Sequence, residues 1–258
     1  MMPSVLTPAQ IDEFIETGVA VLRGGFSPEV AEQCRTRIWT AVGMNPDARS
    51  TWTKPLIHVQ QCPDDGPFAT IHNPRLDGAI DDLLGAGRYD PVVGFGWWPI
   101  AFPGFDMPPW RLPDSGWHID GTNFRHHVDS SNQGLLSLFI FSEIQPGDGG
   151  TAYVPGSHAA TARILLESEP LGLEHEELTR RVTCQVDKSR GIEATGMPGD
   201  VFLLHPFMLH ARSPNTGSRV RFICNPCMSL RERPRLDPHP DRTPLERSIM
   251  LALESSAS

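Results

Sequence analysis

From about residue 90 onward the chain is a series of short apolar runs, each cut off by Gly, Pro, Asn or Asp. Four stand out: LLSLFIFSEI (135–144), GTAYVPG (150–156), GDVFLLHPFMLHA (199–211) and RVRFICNPCMSL (219–230). Runs this short, rich in β-type residues and bounded by turn residues, do not build a helical bundle. They predict the strands of a sandwich or barrel. The opening has a different pattern. Over TPAQIDEFIET (7–17), Thr7 suits an N-cap and Pro8 the first helical position, and Ile11, Phe14 and Ile15 recur at helical spacing. GVAVLRG (18–24) reads as a short strand. In SPEVAEQCRTRIWTAVG (27–43) the same start signal returns at Ser27 and Pro28, and Gly43 provides a stop. A helical insertion is expected over 159–180, a surface-wrapping segment over 232–244 and a short helix near 244–254. These elements give an α+β fold, mainly β, with a double-sheet jelly-roll core, N-terminal flanking helices and a helical insertion. With 258 residues, no repeat and no linker, residues 1–258 are expected to form a single domain.

Composition narrows the partners. A formal net charge of −9 argues against nucleic acid, which needs a basic surface. No apolar run reaches 18 residues, so no membrane span is expected. The start, MMPSVLTPAQIDEF, lacks a basic segment followed by an apolar one, so no secretory signal is read and a cytoplasmic protein is expected. The five cysteines are odd in number and scattered (Cys34, Cys62, Cys184, Cys224 and Cys227), which suggests thiols rather than a disulfide framework. Cys224 and Cys227 form one C-x-x-C. No second such pair exists to complete a four-cysteine zinc site, and the pair does not open a helix as a redox motif does.

The stretch GWHIDGTNF (116–124) carries the chemistry. His118 and Asp120 are two apart, so on a strand they point to one face. Alone, the pair fits a metal site, a buried ion pair or a wet polar surface. A third ligand is offered by residues 199–224, which hold His205 and His210. Five positions apart, these two face opposite ways on a regular strand, so at most one shares the site. SPNTGS (213–218) lies between two apolar runs and reads as a hairpin turn. A turn centred between Asn215 and Thr216 sets His210 opposite Arg221, with Cβ atoms roughly 5 Å apart, and sets His205 near Pro226. Arg219 shares the face of Arg221 by alternation and is its rival. Two imidazoles and one carboxylate with open positions opposite form the ligand set of non-haem Fe(II) oxygenases. A buried arginine beside them requires an anionic partner, such as the far carboxylate of a chelating dicarboxylate.

At these residues the sequence resembles the phytanoyl-CoA dioxygenase family of Fe(II)/2-oxoglutarate-dependent oxygenases. The resemblance covers most of the chain, through LTPAQIDEFIETGVAVLRGGFSPE, WHID, GGTAYVPGSH (149–158) and GDVFLLHPFMLHARSPN (199–215) in order. It implies His118, Asp120 and His210 as metal ligands and catalytic centre. It also implies Arg221, eleven positions after the distal ligand, as the 2-oxoglutarate anchor, and Ser137 as a hydroxyl facing the cosubstrate. Its cofactors would be Fe(II), 2-oxoglutarate and O2, and its reaction the oxidation of an unactivated C–H bond with release of succinate and CO2. Hydroxylation is the default outcome, with cyclisation or desaturation as alternatives from the same centre. One departure is Arg212, which stands where a small hydroxyl residue often helps hold 2-oxoglutarate. Asp120 excludes a halogenase, which lacks that carboxylate, and zinc hydrolysis gives Arg221 no role. A jelly-roll that binds a metal or ligand without turnover remains the non-enzymatic alternative. The substrate is expected to be a small molecule of specialised metabolism, met by Asn123, Arg125 and His126 in the loop after Asp120 and by Trp98 in the preceding aromatic stretch. Those aromatics, Phe95, Trp97, Trp98, Phe102, Phe105 and Trp110, otherwise read as packing, His205 as structural and His158 as a turn residue.

Overall fold

Thr7 starts the first helix, α1 (Pro8–Thr17), as the spacing predicts. Its hydroxyl accepts from the Gln10 amide N–H while the Gln10 side chain accepts from Thr7 N–H, a reciprocal cap, and Gly18 at φ 80° ends the helix. The computed structural model describes residues 4–61, 63–91 and 94–254, which leaves Cys62 outside the described residues. After β1 (Val19–Leu22) comes α2 (Pro28–Val42), capped by Ser27 and stopped by Gly43. Two elements follow that the sequence reading did not contain. β2 (Leu56–Val59) pairs with a later strand, and α3 (Pro74–Leu84) is capped by Asn73 and buries Leu76, Ala79, Ile80, Leu83 and Leu84 at helical spacing. The chain continues through β3 (Trp98–Ala101), β4 (Leu135–Ile140), β5 (Ala152–Tyr153), α4 (Ser157–Glu167) and α5 (His175–Gln185). It ends with β6 (Ile192–Glu193), β7 (Val201–Leu204), β8 (His210–Ala211), β9 (Ile223–Cys224), β10 (Cys227–Met228) and α6 (Pro244–Glu254).

The strands form antiparallel sheets. The larger has the order β1-β7-β4-β10, with β9 also on β4. A smaller one has the order β6-β5-β8, and β2 pairs with β3. Side-chain alternation along β4 and β7 gives the larger sheet two apolar faces. Leu136, Leu138, Ile140, Phe202 and Leu204 share one buried cluster with Tyr153 of the smaller sheet. Phe139, Val201 and Leu203 point the other way, into a cluster with Phe14, Ile38, Leu76 and Ile249 from four helices. Each such fully buried side chain contributes about 1.5–3 kcal/mol. The result is an α+β arrangement in which helices back one sheet and a second sheet covers its other face.

Three expectations change. The helices hold more of the described residues than the strands, so "mainly β" overstates the strands; most of these are two to four residues long, and irregular segments link them. The insertion is two helices, 157–167 and 175–185, and His158 is a buried residue of the first rather than a turn residue. The SPNTGS segment is not a hairpin. After β8 the chain crosses from the smaller sheet, where His210 pairs with Tyr153, to the larger, where β9 pairs with β4. Buried Asn215 anchors the crossing, donating to the Ala101 and Arg219 carbonyls, which removes the freedom a two-strand turn would need.

Candidate metal centre

His118 and His210 exchange backbone hydrogen bonds, His118 N–H to His210 O at 2.9 Å and His210 N–H to His118 O at 3.1 Å. Residues paired this way project side by side from one face, and the two rings lie 4.3 Å apart. Asp120 follows one side-chain alternation later. Its Oδ1 is 3.3 Å from His118 Nε2 and 3.6 Å from His210 Nε2. The three donor atoms fall within 4.8 Å of one another, the one group of His, Cys, Asp or Glu with that property among the described residues. Gly121, at φ 113°, lets the chain turn away at once; a Cβ there would stand 2.4 Å from the Phe124 ring.

The local hydrogen bonds prepare both imidazoles for a cation. His118 Nδ1 lies 2.8 Å from Gly116 O and His210 Nδ1 3.0 Å from Met208 O. A carbonyl only accepts, so Nδ1 carries a proton in each ring, and Nε2 is the atom that faces Asp120 and would bind a metal. Burial by itself would raise the Asp120 carboxyl, but the His210 and His118 rings outweigh it and hold that carboxyl well below the usual carboxylate range. Two imidazole nitrogens and one carboxylate oxygen, with no fourth side-chain ligand in the group, fit a divalent transition metal with open positions.

Arg221 reaches the centre from the other sheet. The hairpin argument is overturned, yet its conclusion that the two residues meet at one site stands: His210, His118 and Arg221 line one cavity of about 220 Å³, together with His58, Thr151 and Arg212. Arg221 is 1% exposed. Nη1 donates to Gly149 O at 2.5 Å and Nη2 to Pro99 O, while Nε has no partner. Burial, aided by the Arg212 charge, lowers its pKa to about 9, so it stays cationic at neutral pH. Among the described residues no carboxylate forms an ion pair with it. The nearby Glu193 carboxylate is taken by the N–H groups of Gly147, Gly149 and Gly150. This end of the cavity therefore suits an anion. The rival Arg219 turns outward to Asp148 and Glu143.

A second cavity, of about 250 Å³, opens on the other side of Asp120. Asn123 and Phe124 line it, as do Trp97 and Asn225, which also line the first cavity. Of the other residues the sequence reading singled out, Asn123 lines this cavity, and Ser137, Trp98, Arg125 and His126 line neither. Ser137 pairs with Leu203 and points to the helix-covered face of β4, since its neighbours Leu136 and Leu138 take the cavity side. Trp98 is fully buried against Phe68 and Phe141, because alternation on β3 turns it inward. Arg125 binds Glu174 and the carbonyls of Leu171 and Gly172, outside both cavities. His126 is fully buried, paired through its backbone with Leu173 and through Nε2 with Gly121 O, so it holds the loop rather than overhanging the site. His205 packs in the core on Phe14 and His158. The residues missed are Trp97, 46% exposed and stacked on His58 at 4.9 Å, with His58 itself, Thr151, Gln133 and Asn225. Trp97 lies just before β3 at φ 63°, so strand alternation does not place its side chain. Nothing local marks His58.

A metal-ready triad with open positions, joined by a cavity to a buried arginine, defines the class of the non-haem iron oxygenases that use a carboxylate cosubstrate. The chain belongs to the phytanoyl-CoA dioxygenase family, whose model matches residues 14–223. No curated protein sequence matches it. Among solved structures, HygX from Streptomyces hygroscopicus, with nickel and 2-oxoglutarate bound, is 19% identical with a TM-score of 0.53, over 87% of this chain and 87% of that one. EvdO2 from Micromonospora carbonacea var. aurantiaca is 16% identical with a TM-score of 0.57, over 91% and 95%. EctD from S. alaskensis, with 2-oxoglutarate and 5-hydroxyectoine, is 18% identical with a TM-score of 0.55, over 89% and 78%. At these identities the likeness is one of fold.

Proposed function

We propose that this protein is an Fe(II)/2-oxoglutarate-dependent oxygenase of small molecules, built as one domain on a jelly-roll core. The observation that carries the reading is the pair of cavities meeting at the triad: one is lined by the buried Arg221, whose Nε has no partner, and the other by no basic residue among those described. His118, Asp120 and His210 would hold the metal, which when bound supplies the oxidising chemistry, with O2 as oxidant and succinate and CO2 released. The Nδ1 hydrogen bonds to Gly116 and Met208 orient both rings so that Nε2 is the atom offered to the metal. Arg221, with Arg212 at the open end, would take the far carboxylate of 2-oxoglutarate. The Thr151 hydroxyl, not Ser137, is the one that lines this cavity.

Hydroxylation of an unactivated C–H bond is the default outcome. The fold neighbour SnoK, described as a carbocyclase from nogalamycin biosynthesis, keeps ring closure in view, and a role in specialised metabolism fits both. Among the described residues no helix is long and apolar enough to cross a membrane, and the net charge of −9 favours a small-molecule partner over nucleic acid. The test is direct. With Fe(II) and O2 the protein should convert 2-oxoglutarate to succinate, and a chelator should stop it. Metal bound without succinate formation under any condition would instead support a non-catalytic binding protein.

A further inference from the structure

The second cavity has an unusual lining for its place. Its polar side chains are chiefly carboxamides: Asn123, Asn132, Gln133 and Asn225. Its one charged residue is Asp120, which the metal would neutralise, and no lysine, arginine or histidine lines it. Gln133 is 6% exposed and its amide sits against the His126 ring, which meets one end of it. The Oδ1 of Asn225 is buried without a hydrogen-bond partner. Buried amides without partners are unfavourable, so a ligand that supplies donors and acceptors there recovers that loss on binding. Trp97 and Phe124 add aromatic surface to the same cavity.

These features select by charge and shape. A carboxylate or phosphate would find no basic side chain in the lining to pair with. A carboxamide offers one donor group and one acceptor, which match hydroxyl and carbonyl groups. Aromatic side chains suit the apolar face of a ring. We propose that this cavity takes an uncharged ring substituted with hydroxyl or carbonyl groups, read by the amides of Gln133 and Asn225, and that acyl thioesters of coenzyme A are excluded. The inference rests on the oxygenase reading above and names its substrate class.

The experiment measures succinate formation by the full chain with Fe(II) and 2-oxoglutarate against a fixed set of probes. Methyl glucoside, myo-inositol and a hydroxylated flavanone are the neutral rings; glucuronate and octanoyl-CoA are the anionic comparison. At least one neutral ring should raise the rate about tenfold above the substrate-free rate, while the anionic probes should not. In Gln133→Leu and Asn225→Leu that stimulation should fall about tenfold. Gln133→Glu, which preserves shape and adds a charge, should abolish it even if the leucine variants fold poorly. The inference is overturned if the anionic probes stimulate as well as the neutral ones, if no neutral ring stimulates, or if stimulation survives in the variants. The visible absorption of the iron–2-oxoglutarate complex separates the two levels: if it never forms, the oxygenase reading fails and this inference with it. If it forms without stimulation by neutral rings, only the substrate class is wrong.

Discussion

Glu193 and Arg221 are joined through a single residue: Gly149 donates its N–H to Glu193 Oε1 at 2.9 Å and offers its carbonyl to Arg221 Nη1 at 2.5 Å. Gly147 and Gly150 donate to the same carboxylate. Burial raises the Glu193 pKa, and those N–H groups work against the rise. The carboxylate thus sets the loop that holds the arginine. In Glu193→Gln one acceptor oxygen becomes a donor facing a backbone N–H, so the loop should loosen. The 2-oxoglutarate concentration for half-maximal rate should rise about five- to tenfold, equivalent to roughly one ordinary hydrogen bond of about 1 kcal/mol, with a smaller change at saturation. An unchanged requirement would mean that the loop holds Arg221 without Glu193.

Arg221 itself should matter far more than its neighbour on the chain. Arg221→Ala removes a buried charge from the cavity that contains His118 and His210, whereas Arg219 is occupied by Asp148 and Glu143 at the surface. A hydrogen bond to a charged group is worth about 1.5–3 kcal/mol, so half-saturation by 2-oxoglutarate should rise roughly ten- to hundredfold in Arg221→Ala. It should rise little in Arg219→Ala. Titration of succinate formation against 2-oxoglutarate measures both, and equal effects would remove Arg221 as the anchor.

The metal assignment separates the two histidines of residues 199–211. His118→Ala, Asp120→Ala and His210→Ala should each lose iron, read by elemental analysis of the purified protein. His205→Ala should keep its iron and instead lower the melting temperature, since His205 is fully buried against Phe14, His158 and Phe207. Iron retained by His210→Ala and lost from His205→Ala would reverse the assignment.

These residues also show how far the sequence could be read. Helix starts were legible because the signals are local: Thr7 and Ser27 cap their own helices, and Gly18 and Gly43 end them. The triad was legible because strand alternation places His118 and Asp120 together. The meeting of His210 with Arg221 was found by a wrong route. A crossing between sheets brings residues together across the interior, and turn chemistry cannot distinguish it from a hairpin when a buried side chain such as Asn215 does the anchoring. Asn73, Pro74 and the apolar spacing after them carry the ordinary signals of α3, and these went unread. Ser137, Trp98 and His126 failed for a different reason. Each depends on which face of an element meets the cavity, and that is set by partners distant in sequence: Leu203, Phe141 and Leu173.

The last expectation is a dependence of stability on pH that comes from the core and not from the metal centre. His158 and His205 lie 4.8 Å apart, ring to ring, beneath α1. Burial lowers the His158 pKa to about 4, and burial together with the His158 ring lowers that of His205 well below its ordinary value. In the unfolded chain each histidine takes up a proton near pH 6.5. Between about 6.5 and 4, then, the unfolded state binds more protons than the folded one, and stability must rise with pH over that window. The contribution of His158 is fully present above pH 6.5 and declines toward pH 4 by on the order of 3 kcal/mol. Urea unfolding at pH 7.0, 6.0 and 5.0 reads the slope, above the range where ordinary carboxylates titrate strongly. His158→Gln, which cannot ionise, should flatten it even if the variant is less stable at pH 7. The same slope in wild type and variant would show that this imidazole is charged, or free to charge, inside the fold.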